Sequence, residues 1–281
     1  MSAPALAPRR AERCLALAVT SGKGGVGKTS VVANLAIAMS KLGLRVTVLD
    51  ADLGLANLDV MLGLVPKRTI EHFFRDGASF DDITIEGPGG IRLIPAGSGI
   101  PELTRLTTDE LLRFVDAVRR VREQNDLLLV DTAAGISEQV SRVLALADRV
   151  ALVTWPEPTA LVDAYATLKL LRRRTPNQPV GLVVNGVADE REARQVHARL
   201  LAAAERFLSQ GIDLDGFVPR DEAVVTAAKR QRAVLIDAPF APASRSLERL
   251  ALRFAALAHR RQRAGAEPCR DYNPPVAEVL H

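Results

Sequence analysis

Ser21-Gly22-Lys23-Gly24-Gly25-Val26-Gly27-Lys28-Thr29 decides the reading of this chain. It fits G-x-x-x-x-G-K-[ST], the loop that wraps phosphates. The apolar run before it, residues 14–20, reads as a buried strand, and Ser30-Val31-Val32-Ala33-Asn34-Leu35-Ala36-Ile37-Ala38-Met39 reads as a largely buried helix. Strand, Gly-rich turn and helix in that order are the setting the motif needs. Phosphates require several backbone N–H groups pointing inward, and glycines let the backbone wrap closely. The positive end of the following helix adds to this. Gly22, Lys23, Gly24, Gly25, Val26, Gly27, Lys28, Thr29 and Ser30 are therefore the candidate phosphate contacts. Lys28 supplies a point charge toward the β- and γ-phosphates, and the Thr29 hydroxyl suits Mg²⁺.

Two further strand ends carry carboxylates. Residues 44–49 read as a strand running into Asp50-Ala51-Asp52, and residues 126–131 as one ending in Asp131. The carboxyl ends of strands face the crevice where α/β sheets bind ligands. Asp131 fits the Walker B pattern, in which the Asp holds the Mg²⁺ shell. Asp50 is a second candidate for the metal shell. No Gln or Glu directly follows Asp131 in Thr132-Ala133-Ala134-Gly135, so Asp52 is the best remaining carboxylate to position an attacking water. The small residues 132–135 let the backbone approach a γ-phosphate and move when it leaves.

The remaining chain predicts a short helix capped by Thr69, a strand at 91–95 and a helix opened by the capping box Thr107-Thr108-Asp109-Glu110. Strands at 150–154 and 180–185, helices at 160–173 and 189–208, a short strand ending at Pro219, and a last helix capped by Ser244 follow. Arg172-Arg173-Arg174 reads as a solvated helix end complementing the dipole, with a nucleic-acid or lipid contact as the alternative. The fold expected is a single doubly wound α/β domain over residues 14–262, with a mainly parallel sheet and helices on both faces. Residues 1–13 read as a disordered segment and residues 263–281, with Pro268, Pro274 and Pro275, as a flexible tail.

Composition narrows the classes. The 281 residues suit one large domain and contain no apolar run of about 18 residues that would cross a membrane. The start of the chain lacks the apolar stretch of a secretory signal. Cys14 and Cys269 lie near opposite ends, which is neither a disulfide framework nor a metal cluster and fits a cytoplasmic protein. A net charge of +4 does not demand an acidic partner, and no sequence-specific nucleic-acid binding is expected.

The early lysine, Lys23, gives K-G-G-x-G-K-T. This loop resembles the deviant Walker A of the MinD/ParA ATPases, whose early lysine reaches across a dimer interface to the partner's nucleotide. Asp50-Ala51-Asp52-Leu53-Gly54-Leu55-Ala56-Asn57-Leu58-Asp59 and Asp131-Thr132-Ala133-Ala134-Gly135 are similar to MinD and its flagellar paralogue FlhG, also called FleN or YlxH. The runs Ile94-Pro95-Ala96-Gly97-Ser98-Gly99-Ile100 and Pro156-Glu157-Pro158-Thr159-Ala160-Leu161-Val162-Asp163-Ala164-Tyr165 tip the resemblance to FlhG, the regulator of flagellar number and placement.

The resemblance implies slow hydrolysis of ATP with Mg²⁺ and an ATP-dependent homodimer. It implies Lys23, Lys28 and Asp52 as the residues of the reaction. It also implies Asn185 at the base, with Pro219, Arg220 and Asp221 completing the nucleotide contacts. As partners it suggests the FlhF GTPase, a transcription regulator or a C-ring component, with transient association at the inner membrane or cell pole. The chain departs from the pattern at both ends. No D-Q-A-x-x-L-R segment precedes the first strand, and the tail is broken by prolines where a membrane-targeting helix is expected. A MinD-type division-site ATPase and a ParA-type partition ATPase are the alternatives. A metabolic enzyme or iron–sulfur electron donor of the same fold is disfavoured by the placement of the cysteines, and a GTPase by Asn185-Gly186-Val187-Ala188 in place of N-K-x-D.

Overall fold

In chain order the strands are Leu15–Ser21 (β1), Val46–Ala51 (β2), Ile85–Glu86 (β3), Arg92–Ile94 (β4), Leu127–Thr132 (β5), Arg149–Thr154 (β6), Val180–Val187 (β7) and Asp213–Pro219 (β8). In the computed structural model, which describes residues 13–52, 57–97, 106–135, 137–208 and 210–264, they form one sheet ordered β3-β4-β2-β5-β1-β6-β7-β8. Every pairing is parallel except β3 with β4. The helices are Lys28–Lys41 (α1), Leu58–Met61 (α2), Ile70–Arg75 (α3), Phe80–Ile83 (α4), Thr108–Gln124 (α5), Glu138–Ala145 (α6), Pro158–Arg174 (α7), Glu190–Leu208 (α8), Glu222–Lys229 (α9), Val234–Asp237 (α10) and Pro242–Ala264 (α11).

Strand periodicity builds two cores. Ala16, Ala18, Leu128, Val130, Val150 and Leu152 point to one face, where Phe114 and Val118 of α5, Leu168 of α7 and Leu200 of α8 cover them. Leu15, Leu17, Val19, Leu127, Leu129 and Val153 point to the other, under Leu35 and Met39 of α1 and Leu250 and Phe254 of α11. Strands buried on both faces are apolar along most of their length, which is why β1 and β5 read as continuous runs rather than alternating ones and turn polar only at their carboxyl ends. The doubly wound sheet expected from the sequence is therefore the one observed.

Local chemistry sets the helix ends. Thr107 Oγ1 accepts from Glu110 N at 3.3 Å while Glu110 Oε2 accepts from Thr107 N at 2.8 Å, the reciprocal box read from the sequence. Thr69 caps α3 as expected, accepting from Glu71 N at 3.3 Å. Ser244 does not cap the last helix. Pro242 takes the opening turn, and Ser244 Oγ instead donates to Ala238 O at 2.8 Å and lies buried.

Arg172 is held rather than solvated, donating to Gln178 O and Gly211 O at 3.2 and 3.0 Å. The sequence carried no reading for α6, short and capped by Ser137, for the one-turn α10, or for the two-residue antiparallel β3 at the sheet edge. Residues 1–12, 98–100 and 265–281, and with them Ser98, Gly99, Ile100, Cys269 and nearly all of both expected tails, lie outside the described residues. Cys14 is buried and free, one residue before β1, and burial pushes its thiol up to about 12.

Candidate functional site

The site sits at the carboxyl ends of the central strands. β1 runs into the Gly-rich loop and the loop into α1, so Gly27 is the residue before a helix whose first residue is Lys28. Gly25 and Gly27 take φ of 81° and 82°, a left-handed backbone that favours glycine. α1 needs no side-chain cap here, which leaves the N–H groups of its first turn for an anion. On the opposite limb the backbone of α7 lies so close to Gly22 that a Cβ there would fall 2.3 Å from Asp163.

Register places the two strand-end carboxylates side by side, because Asp50 of β2 pairs with Asp131 of β5. Both are buried, and Lys28 Nζ reaches Asp131 Oδ1 at 2.6 Å and Thr29 Oγ1 at 3.4 Å. Burial, then the negative charge of Asp131, pushes the Asp50 carboxyl up to about 8. Burial also raises Asp131, against the pull of Lys28. Two neighbouring carboxylates with a threonine hydroxyl beside them are hard oxygen donors, and that donor set fits Mg²⁺. Asp52 is half-buried at the strand end, its N–H donating to Asp50 Oδ1 at 3.1 Å. Leu53, Gly54, Leu55 and Ala56 lie outside the described residues.

The end of β5 and the segment after it are tied to the end of β1, where the Gly-rich loop begins. Gly135 N donates to Ser21 O at 2.8 Å, and Thr132 Oγ1 donates to Val19 O at 3.2 Å. Lys23 stands apart from the buried cluster. It is exposed, 3.5 Å from Glu157 Oε2 and 3.4 Å from Thr159 Oγ1. Asn185 is brought to the loop, its Nδ2 donating to Val26 O at 2.8 Å. Pro219 and Arg220 lie at the same edge of the sheet, with Arg220 N donating to Val187 O at 2.7 Å. Asp221 caps α9 through Ala223 N at 2.9 Å and holds the start of α11 through Ala243 N at 3.0 Å. The sequence reading used Glu157 and Thr159 only as marks of resemblance, and their contact with Lys23 was not anticipated. No periodicity encodes it, because it joins the Gly-rich loop to the first turn of α7 across more than a hundred residues.

Residues 17–234 match the family described as the CobQ/CobB/MinD/ParA nucleotide binding domain. The chain belongs to this family. Among curated relatives, it is 41% identical over 235 residues to the "Antiactivator FleN" of Pseudomonas aeruginosa, covering 84% of each chain. It is 40% identical over 190 residues to the "Flagellum site-determining protein YlxH" of Helicobacter pylori, covering 67% of this chain and 64% of that protein. Among solved structures, the "MinC:MinD cell division protein complex" of Aquifex aeolicus superposes with a TM-score of 0.72 at 26% identity, over 86% of this chain and 96% of that one. The expected MinD/ParA-type ATPase, similar to the FleN and YlxH proteins, is borne out, and so is its fold.

Proposed function

We propose that this ATPase is a nucleotide switch of the FlhG type, which dimerises with ATP, hydrolyses it slowly and thereby controls flagellar number or placement. The observation that carries the chemistry is the cluster of Lys28, Asp131, Asp50 and Thr29 at the mouth of the Gly-rich loop. Lys28 and the loop N–H groups bind the phosphates. Thr29, Asp50 and Asp131 hold Mg²⁺, which when bound neutralises phosphate charge and polarises the γ-phosphoryl group. Asp52 orients the attacking water.

Its exposure supports an outward role for Lys23, toward the nucleotide of a second copy of the chain. The flagellar assignment rests on the identity to FleN and YlxH. A protein partner such as the FlhF GTPase, a transcription regulator or a C-ring component would read the dimer, and membrane or polar association would follow from it. Among the described residues no helix is long and apolar enough to cross a membrane. The test is deletion of the gene with complementation by wild-type and Lys28→Ala protein. Abnormal flagellar number or position, corrected by the wild type alone, is the expected result. Normal flagella with a division or partition defect would move the assignment to a MinD or ParA role.

A further inference from the structure

The Gly-rich loop is also held from behind. The Val26 carbonyl accepts from Trp155 Nε1 at 2.9 Å and from Asn185 Nδ2 at 2.8 Å. Trp155 follows β6 directly and Asn185 lies in β7, so two neighbouring strands reach the same oxygen. Both donors fit closely. A Cβ on Gly186 would lie 2.9 Å from Trp155 Cε2, and one on Gly27 would lie 2.3 Å from Asn185 Nδ2.

The orientation of one peptide unit matters here. The C=O and N–H of a trans peptide point in opposite directions. With Val26 O drawn toward β6 and β7, the Gly27 N–H is turned to the other side. An anion cradle works only while its N–H groups face the anion, and a single inward carbonyl places negative charge against the phosphates. Gly25 and Gly27, both at positive φ, offer little resistance to rotation of the peptides between them. Something outside the loop must supply that resistance.

We propose that Trp155 is a positioning residue for phosphate binding. Its indole N–H, together with Asn185, fixes the Val26–Gly27 peptide in the orientation that presents N–H to the nucleotide. The inference rests on the reading of this loop as the ATP site, and it deepens that reading by giving the loop a support the motif does not contain.

The experiment compares wild type with Trp155→Phe, which keeps a ring against Gly186 and loses the N–H. Calorimetric titrations with Mg·ADP and with Mg·tripolyphosphate are run beside kcat at saturating ATP. Loss of one hydrogen bond predicts roughly threefold to tenfold weaker binding of both ligands. The turnover of the saturated enzyme should stay within about twofold, because the contact is made before and after the γ-phosphate is cleaved. The chain has a single tryptophan, so replacing tryptophan throughout by its benzothiophene isostere alters this residue alone and leaves packing in place. The isostere should reproduce the loss even if Trp155→Phe lowers the melting temperature.

Unchanged affinity for both ligands in the isostere protein overturns the proposal. A loss for ADP with none for tripolyphosphate also overturns it, because Trp155 would then act on the base. Wild-type protein that ignores Mg·ADP would be a different failure, removing the nucleotide reading and this inference together.

Discussion

Lys28 Nζ lies 2.6 Å from Asp131 Oδ1, and both side chains are almost wholly buried. This pair joins the start of α1 to the end of β5 and gives a buried ammonium a counter-charge. On the proposed reading, nucleotide would bring phosphates that compete for the same ammonium and share the lysine between two anionic partners. Lys28→Ala removes the charge-assisted phosphate contact. A contact of that class is worth about 1.5–3 kcal/mol, so ATP affinity should fall roughly tenfold to a hundredfold or more. Calorimetry measures this, and unchanged affinity would mean that the loop is misassigned.

Asp52→Ala should bind ATP normally and lose turnover. The carboxylate sits just past β2, its N–H anchored to Asp50 Oδ1 at 3.1 Å, close to the metal donors but not buried with them. Positioning of a nucleophile contributes about 10²–10⁴-fold. Phosphate release should fall by at least the lower figure, and normal release would move the role to Asp50.

The unliganded protein should lose stability as pH rises from about 4 to about 8. The Asp50 carboxyl is raised from 3.8 to about 8, first by burial and then by Asp131. In that window the folded state keeps a proton that the unfolded chain has released, so deprotonation of the unfolded chain favours unfolding with each step upward. Below the unfolded value both states are protonated, and above about 8 both are ionised, so this contribution changes only between the two. Melting curves across this range should fall less steeply for Asp50→Asn. Equal slopes for the two proteins would remove Asp50 as the cause.

Far from the loop, Asp148 organises the amino ends of the strands. Its Oδ2 accepts from Ala16 N and Arg122 Nη2, each at 2.8 Å, and Arg261 of α11 lies 2.9 Å from Oδ1. Asp148→Ala strands buried arginine charge, and breaking such a pair costs about 3–5 kcal/mol. Urea unfolding should show that loss while ATP affinity stays within about twofold. A loss under 1 kcal/mol would show that the arginines find water or another partner.

The residues that read well in the sequence are those whose role is local. The Gly-rich loop, the apolar runs of β1 and β5 and the Thr107–Glu110 box each state their structure within a few positions. Asp50 and Asp131 were legible as strand ends, but their side-by-side pairing depends on the register of β2 against β5, which no local pattern carries. Lys23 beside Glu157, and Trp155 on the Val26 carbonyl, join loops more than a hundred residues apart. β3 was too short for periodicity to register. Ser244 resembled a cap because serine caps are common, and the preceding Pro242 had already set the helix start.

On the proposed function, ATP assembles two copies of the chain, and Lys23 makes the assembly depend on ATP. Lys23 faces solvent, paired at 3.5 Å with an exposed Glu157, and an exposed pair of this kind holds it by about 1 kcal/mol or less. It is therefore released at little cost when a stronger anion is offered. Across a two-fold axis the contact is made twice, which could shift dimerisation by roughly two to four decades. Sedimentation velocity in saturating Mg·ATP, comparing Asp52→Ala with Asp52→Ala/Lys23→Ala, tests this most directly. The single variant is predicted to sediment as a dimer, and the double variant as a monomer that still binds ATP. A double variant that remains dimeric would remove Lys23 from the switch, and a single variant that stays monomeric in ATP would remove ATP-driven dimerisation.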